Sequence, residues 1–145
     1  MIVEYGVDVS LWNGKDAPDL DPYFTLITGR RLLCETALRR VFCAPGSYTQ
    51  APGFKSIDLV ALINKAEAHL DTASLSEQAS AAIRSDERFD PTTTLATITL
   101  VNELLTCRMQ LGPADGSKPF QLTAKVANIK SPSPLFEIAF PHEVP

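Results

Sequence analysis

Only two histidines, His69 and His142, occur in this chain of 145 residues, and neither has a cysteine or carboxylate at ligand spacing. That scarcity argues against a metal centre of the usual His/Cys pattern. Cysteine is equally sparse: Cys34, Cys43 and Cys107 form no CxxC pair, and an odd count completes no disulfide framework. The thiols are read as buried, with an intermolecular disulfide formed after release to an oxidising medium as the alternative. No apolar run approaches the roughly 18 residues that span a bilayer, and residues 1–6 lack the basic-then-apolar order of a secretion signal. The protein is therefore expected to stay in the cytoplasm where it is made, with no membrane insertion. A net charge of -4 and a pI near 5.1 leave no general attraction to nucleic acid, although Arg30, Arg31, Arg39 and Arg40 make a local basic stripe.

Catalytic signatures are missing as well. The chain contains no GxSxG elbow, Gly-rich phosphate loop or HExxH motif, so nucleophilic, nucleotide-binding and zinc-hydrolase readings have no residues to carry them. A glycosidase needs two carboxylates in unlike environments. Asp86, Glu87 and Asp90 stand together, with Glu103 elsewhere, but in a charged corner that reads as a solvated turn or a structural ion pair. No catalytic residue and no cofactor is assigned.

What is present is a two-part pattern. At 45% hydrophobic and 21% charged residues, the chain suits one compact domain. Residues 1–28 read as an arm: Val7, Val9 and Leu11 alternate, then a Pro-containing acidic stretch follows, and Trp12, Tyr23 and Phe24 are its large contact groups. From Gly29 to Phe42 the period becomes helical. Leu33, Ala37, Leu38 and Val41 form one face and Arg30, Arg31, Glu35, Arg39 and Arg40 the other, which predicts an amphipathic helix. It ends at Ala44, Pro45 and Gly46, and a second Pro-Gly follows at Pro52 and Gly53. A second helix is expected from an N-cap at about Ser56 to His69, with Asp58 in its first turn and Ile57, Val60, Ala61 and Ile63 or Ala66 facing inward. Ser74 to Glu77 resembles a capping box opening a third helix, with Ala79, Ala82 and Ile83 inward and an end near Asp86.

Residues 95–129 then change period again. Ile98 and Leu100, followed by Leu105, Cys107, Met109 and Leu111, fall at every second position in a first run; Phe120, Leu122, Ala124 and Val126 do so in a second. The turn formers of 112–119 separate the two runs, which together read as an antiparallel hairpin with one apolar face. Ser131 to Pro134 breaks regularity before a short apolar run at 135–140, and 141–145 reads as an exposed tail. The expected fold is α+β: about three helices packed on a small, mainly antiparallel sheet with a C-terminal β-hairpin, the single domain spanning 29–140. So small a sheet cannot close on itself, so an open edge is expected.

Several short motifs stand in a recognisable order. An Arg-rich helix end, Leu38-Arg39-Arg40-Val41, leads to Pro45-Gly46; a Pro52-Gly53-Phe54 turn precedes a Leu-rich helix; and Asp86-Glu87-Arg88 closes a helix before the strands. In that order, over roughly residues 29–130, the chain resembles the baseplate wedge, or sheath-initiator, proteins of contractile phage tails and related injection machines, once labelled lysozyme-like. Asp86 stands where that family has Glu, Glu87 where it has Pro, and Arg88 is retained. The resemblance implies a structural virion protein of the tail baseplate, assembled in the host cytoplasm, whose partners are the sheath protein, baseplate wedge proteins and tail tube or hub proteins. It further implies that the acid and arginine hold the domain against the wedge, and that an extended sheath arm adds to the small sheet as a strand. Asp86, Arg88, Arg39 and Arg40 are then the expected contacts to wedge or tube neighbours. Leu122, Thr123, Ala124, Lys125 and Val126 are the expected acceptor strand. A cell-wall glycoside hydrolase and a generic assembly adaptor are the alternatives.

Overall fold

A computed structural model describes residues 8–9, 26–27, 29–43, 56–65, 71–132 and 134–141. The expected features at Trp12, Tyr23, Phe24, the two Pro-Gly turns, His69 and His142 lie outside these. In chain order the elements are β1 (Asp8–Val9), β2 (Leu26–Ile27), α1 (Gly29–Phe42), α2 (Leu59–Lys65), α3 (Thr72–Arg84), β3 (Leu95–Val101), β4 (Leu104–Leu111), β5 (Phe120–Ala127) and β6 (Leu135–Ala139). Within the arm, β1 pairs antiparallel with β2. The other four strands form an antiparallel sheet in the order β3-β4-β5-β6, and the class is α+β, with three helices among the described residues.

The run read as one strand before the 112–119 turn is two. Apolar positions are even up to Leu100 and odd from Leu105, and that switch is what a tight antiparallel turn requires when Val101 pairs with Leu104. Asn102 and Glu103 make the turn with φ of 50° and 63°, the left-handed pair of a type I′ hairpin, here without glycine. The sheet also extends beyond the expected hairpin to a fourth strand. β6 pairs with β5 from Ala127↔Leu135 to Thr123↔Ala139, so Phe136 and Ile138 join the inward face.

That inward face, with Ala96, Ile98, Leu105, Cys107, Met109, Leu111, Leu122, Ala124 and Val126, shares one core with Leu33, Ala37, Leu38 and Val41 of α1 and with Ala79 and Ile83 of α3. The bounds of α1 are as expected, but its amphipathic reading is corrected. Every residue of 32–42 is buried, Glu35, Arg39 and Arg40 included. The helix tolerates this because its charges meet partners inside the chain, which offsets their desolvation. Arg31 Nε donates to Glu35 Oε2 at 2.9 Å and its guanidinium stacks 3.5 Å from the Phe140 ring centroid; Arg40 pairs with Asp86 at 3.0 Å.

Two helix starts also differ from expectation. Asp58, not Ser56, precedes α2: its Oδ1 accepts from Ala61 N and its carbonyl from Leu62 N, while its own N–H and that of Ile57 donate to Cys43 O and Arg40 O. Residues 57 and 58 thus cap the carbonyl end of α1, a more demanding role than a simple N-cap. Leu59 and Ile63 of α2 are buried, and Ile57 and Val60, expected inward, pack partly buried against the same core. Asp71, not Ser74, caps α3, its Oδ1 accepting from Ala73 N at 3.0 Å.

Cys34 and Cys107 are buried, and burial pushes both thiols up to about 12; Cys43 alone is partly exposed. Thiol titration with a disulfide reagent at pH 8 should therefore release one equivalent from the native protein, from Cys43, and three after unfolding. More than one fast equivalent would contradict this packing.

Candidate functional site

Past the last residue of α3 the chain turns sharply and stays ordered through its own backbone. Ser85 N and Asp86 N donate to Ala81 O and Ile83 O, closing the helix. Phe89 is buried and forms a single antiparallel bridge with Pro113, while Asp90 N donates to Gly112 O and Ala114 N to Arg88 O. The charged corner of 86–90 is thereby fastened to the loop after β4, which makes it the structural ion pair of the two readings left open by the sequence.

Asp86 sits at the centre of that corner with 4% exposure. Its Oδ1 accepts from Arg88 N at 3.0 Å and Arg88 Nε at 2.9 Å; its Oδ2 accepts from Arg88 Nη2 at 2.7 Å and from Arg40 Nη2 at 3.0 Å. One carboxylate thus ties the end of α1 to the corner after α3, across 46 positions of sequence. Burial alone would push its pKa up, but the hydrogen bonds from Arg88, then from Arg40, outweigh it and hold the group down to about 2. An open polar cleft of about 480 Å³, lined by Arg40, Ser85, Asp86, Glu87 and Arg88, lies over it. A carboxylate locked in its charged form cannot serve as a general acid near neutrality, so this arrangement suits holding rather than proton transfer.

Of the four residues expected to contact neighbours here, three come together: Asp86, Arg88 and Arg40. Arg39 is buried and does not line the cleft. The outward-facing basic stripe is corrected accordingly, because Arg39 and Arg40 are committed to the chain's interior. Arg88 keeps a 31% exposed side chain and Glu87 is exposed, so the cleft still presents charge outward.

No family model, curated protein or solved structure matches this chain.

The expected acceptor strand is corrected by the topology. Leu122 to Val126 lie in β5, whose backbone is paired with β4 on one side and β6 on the other. Leu122, Ala124 and Val126 are buried, and only Thr123 and Lys125 point to the outer face. The edges are β3 and β6. The β3 edge is occupied: Ala96 N donates to Ser80 Oγ and Ile98 N to Ser76 Oγ, both at 2.9 Å. On β6, no further strand pairs among the described residues. The outer face also carries an apolar row at the hairpin end. Val101 and Leu104 are opposite one another, as are Ala127 and Leu135, and three of these, Val101, Leu104 and Leu135, are large and exposed. Extending the β4–β5 register by one position sets Leu104 beside Ala127, so the row crosses all four strands and reaches the β6 edge.

Sequence reasoning missed Ser76, Ser80 and the whole of β6 as a sheet member. A signal for the serines existed in their i, i+4 spacing, the spacing that aligns two side chains on one helix face.

Proposed function

We propose that this protein is a non-enzymatic structural component of a contractile-tail baseplate or related injection machine, linking the wedge to the sheath and starting sheath assembly by accepting a strand. The observation that carries the reading is the position of β6 at the end of an antiparallel sheet, with a half-exposed strand and an apolar row running out to Leu135. An added strand satisfies edge N–H and C=O groups and takes its register from backbone pairing, so a small protein needs no deep pocket to act as a template. An apolar residue on the incoming strand would extend the row beyond Leu135. The acceptor is thus moved from β5 to β6. Arg88 and Glu87, held in place by Asp86, form the face offered to wedge neighbours, and the charge-locked Asp86 supports holding over hydrolysis.

The alternation of an antiparallel ladder supplies a test. Ala96 and Ile98 turn their N–H groups to α3, so counting across the register puts Glu137 and Ala139 in bonded pairs with Lys125 and Thr123. The N–H of Ile138 then faces outward. Ile138→Pro removes that donor, a change that edge strands tolerate, and also the partly buried Ile138 side chain, for a stability cost on the order of 2 kcal/mol that a parallel melt of the variant checks. Particles assembled with this variant should show baseplates without sheath in electron micrographs. Sheathed tails at the parental frequency would sink the reading.

A further inference from the structure

The most regular polar feature outside the Asp86 cluster joins α3 to β3. Ser76, Ser80 and Arg84 stand at every fourth position of the helix, and Ile98, Ala96 and Thr94 at every second position of the strand, running the opposite way. Ile98 N donates to Ser76 Oγ at 2.9 Å, Ala96 N to Ser80 Oγ at 2.9 Å, and Arg84 Nε donates to Thr94 O at 2.8 Å. Ser80 Oγ also lies 3.2 Å from Ala96 O. The match is metric: four residues of helix rise about 6 Å, and two residues of strand advance about 6.8 Å.

Each hydroxyl is oriented for this task. Ser76 Oγ donates to Thr72 O at 2.7 Å, which leaves its lone pairs for the strand, and Ser80 Oγ has one proton to share between Ser76 O at 2.8 Å and Ala96 O at 3.2 Å while its lone pairs accept from Ala96 N. The helix stripe therefore presents to β3 what the backbone of another strand would present: acceptors opposite Ile98 and Ala96, then a donor opposite Thr94.

We propose that Ser76, Ser80 and Arg84 form an edge seal. They occupy the N–H groups of Ala96 and Ile98 and the carbonyls of Thr94 and Ala96, groups to which a further strand would add on β3, and so confine strand addition to the β6 side. The second half of this statement rests on the proposed function; the seal itself does not. A sheet with two open edges would join copies edge to edge or accept two arms, whereas a one-edged sheet gives a template with a single direction of growth.

The full-length Ser76→Ala/Ser80→Ala variant removes both acceptors. It should self-associate beyond wild type across a concentration series in sedimentation. Amide exchange at Ala96 and Ile98 should be at least about tenfold faster than wild type in dilute solution and slow again as the variant associates. A folded variant with the wild-type mass at every concentration overturns the proposal. If the double variant does not fold, Ser76→Ala alone decides: the expected result is fast exchange at Ile98 with slow exchange at Ala96, and unchanged exchange at Ile98 overturns it. These readouts lie on β3, so a failure of Ile138→Pro to abolish sheath sinks the template reading without touching them.

Discussion

Asp86→Asn should lower the stability of the fold by about 3 kcal/mol, the cost of removing one partner from a buried ion pair. The amide can still accept a hydrogen bond, but it cannot neutralise Arg40, whose side chain is only 10% exposed. That uncompensated guanidinium accounts for most of the loss. Arg88→Ala should cost nearer 1 kcal/mol, because a side chain 31% exposed is screened and can be rehydrated. In urea the Asp86→Asn midpoint should fall by roughly 2 M for a slope of about 1.5 kcal/mol/M, with the slope itself unchanged. The pH dependence gives an independent reading of the same contact. Asp86 is held at about 2 in the fold against an ordinary 3.8, so its contribution is complete above pH 3.8 and is lost as pH falls through 2. The size of that contribution is about 2 kcal/mol. Other carboxylates titrate in the same window, so the informative quantity is the difference between wild type and variant. It should be constant at neutral pH and shrink by about 2 kcal/mol as pH falls to 2 and below, where wild type increasingly carries a protonated, uncharged Asp86 as well. A difference that does not change between pH 5 and 2 would remove Asp86 from its place between the two arginines.

The elements that sequence periodicity located well are those whose neighbours are close in the chain. Alternation found the inward residues of β4 and β5, because a half-buried strand writes its two faces directly into sequence. The same alternation contained the boundary between β3 and β4 in its switch of parity. Asn102 and Glu103 lack the glycine that usually marks such a turn, so the parity switch is its only trace in the sequence. For α1 the helical period fixed the ends but not the surroundings. Glu35 and Arg40 look solvent-facing by composition, and they are buried because Arg31 and the distant Asp86 neutralise them. A pairing across 46 positions leaves no local trace. The candidate sites were less legible still. Asp86, Glu87 and Arg88 stand out as a charged run, but nothing in that run says which member is buried. Alternation in β5 marks a half-buried strand but does not say whether a further strand pairs beyond it. Only the return of the chain at Leu135 turns it into an interior strand and hands the edge to β6.

The corner that carries Asp86 and Arg88 depends on a close backbone approach, and Gly112 is where that approach is tightest. Its carbonyl accepts from Asp90 N at 2.7 Å and its N–H donates to Thr94 Oγ1 at 3.1 Å, so the strand end is drawn onto the 90–94 turn from both sides. A Cβ built on Gly112 would collide with Thr93 Oγ1 and lie 2.7 Å from Thr93 Cβ and 3.3 Å from the Thr93 carbonyl carbon. Only the first contact can be relieved by rotating the Thr93 side chain; the Thr93 Cβ and carbonyl carbon are placed by the backbone and cannot move without disturbing the two hydrogen bonds. Gly112→Ala should therefore destabilise the protein by about 2 kcal/mol through overpacking, despite adding only a methyl group. Thr93→Ala removes the obstructing Oγ1 and Cγ2 and should by itself be nearly neutral, since the Thr93 side chain is half-buried. The double variant is the decisive measurement. If side-chain collision dominates, Thr93→Ala should recover a large part of the loss, a coupling of about 1 kcal/mol in a double-mutant cycle. If the backbone contact dominates, the losses add, and the strain should then spread along the bridge from Pro113 to Phe89 and loosen Arg88, whose carbonyl accepts from Ala114 N. Either result ties the corner to Gly112; a Gly112→Ala variant as stable as wild type would show that the corner does not need this approach.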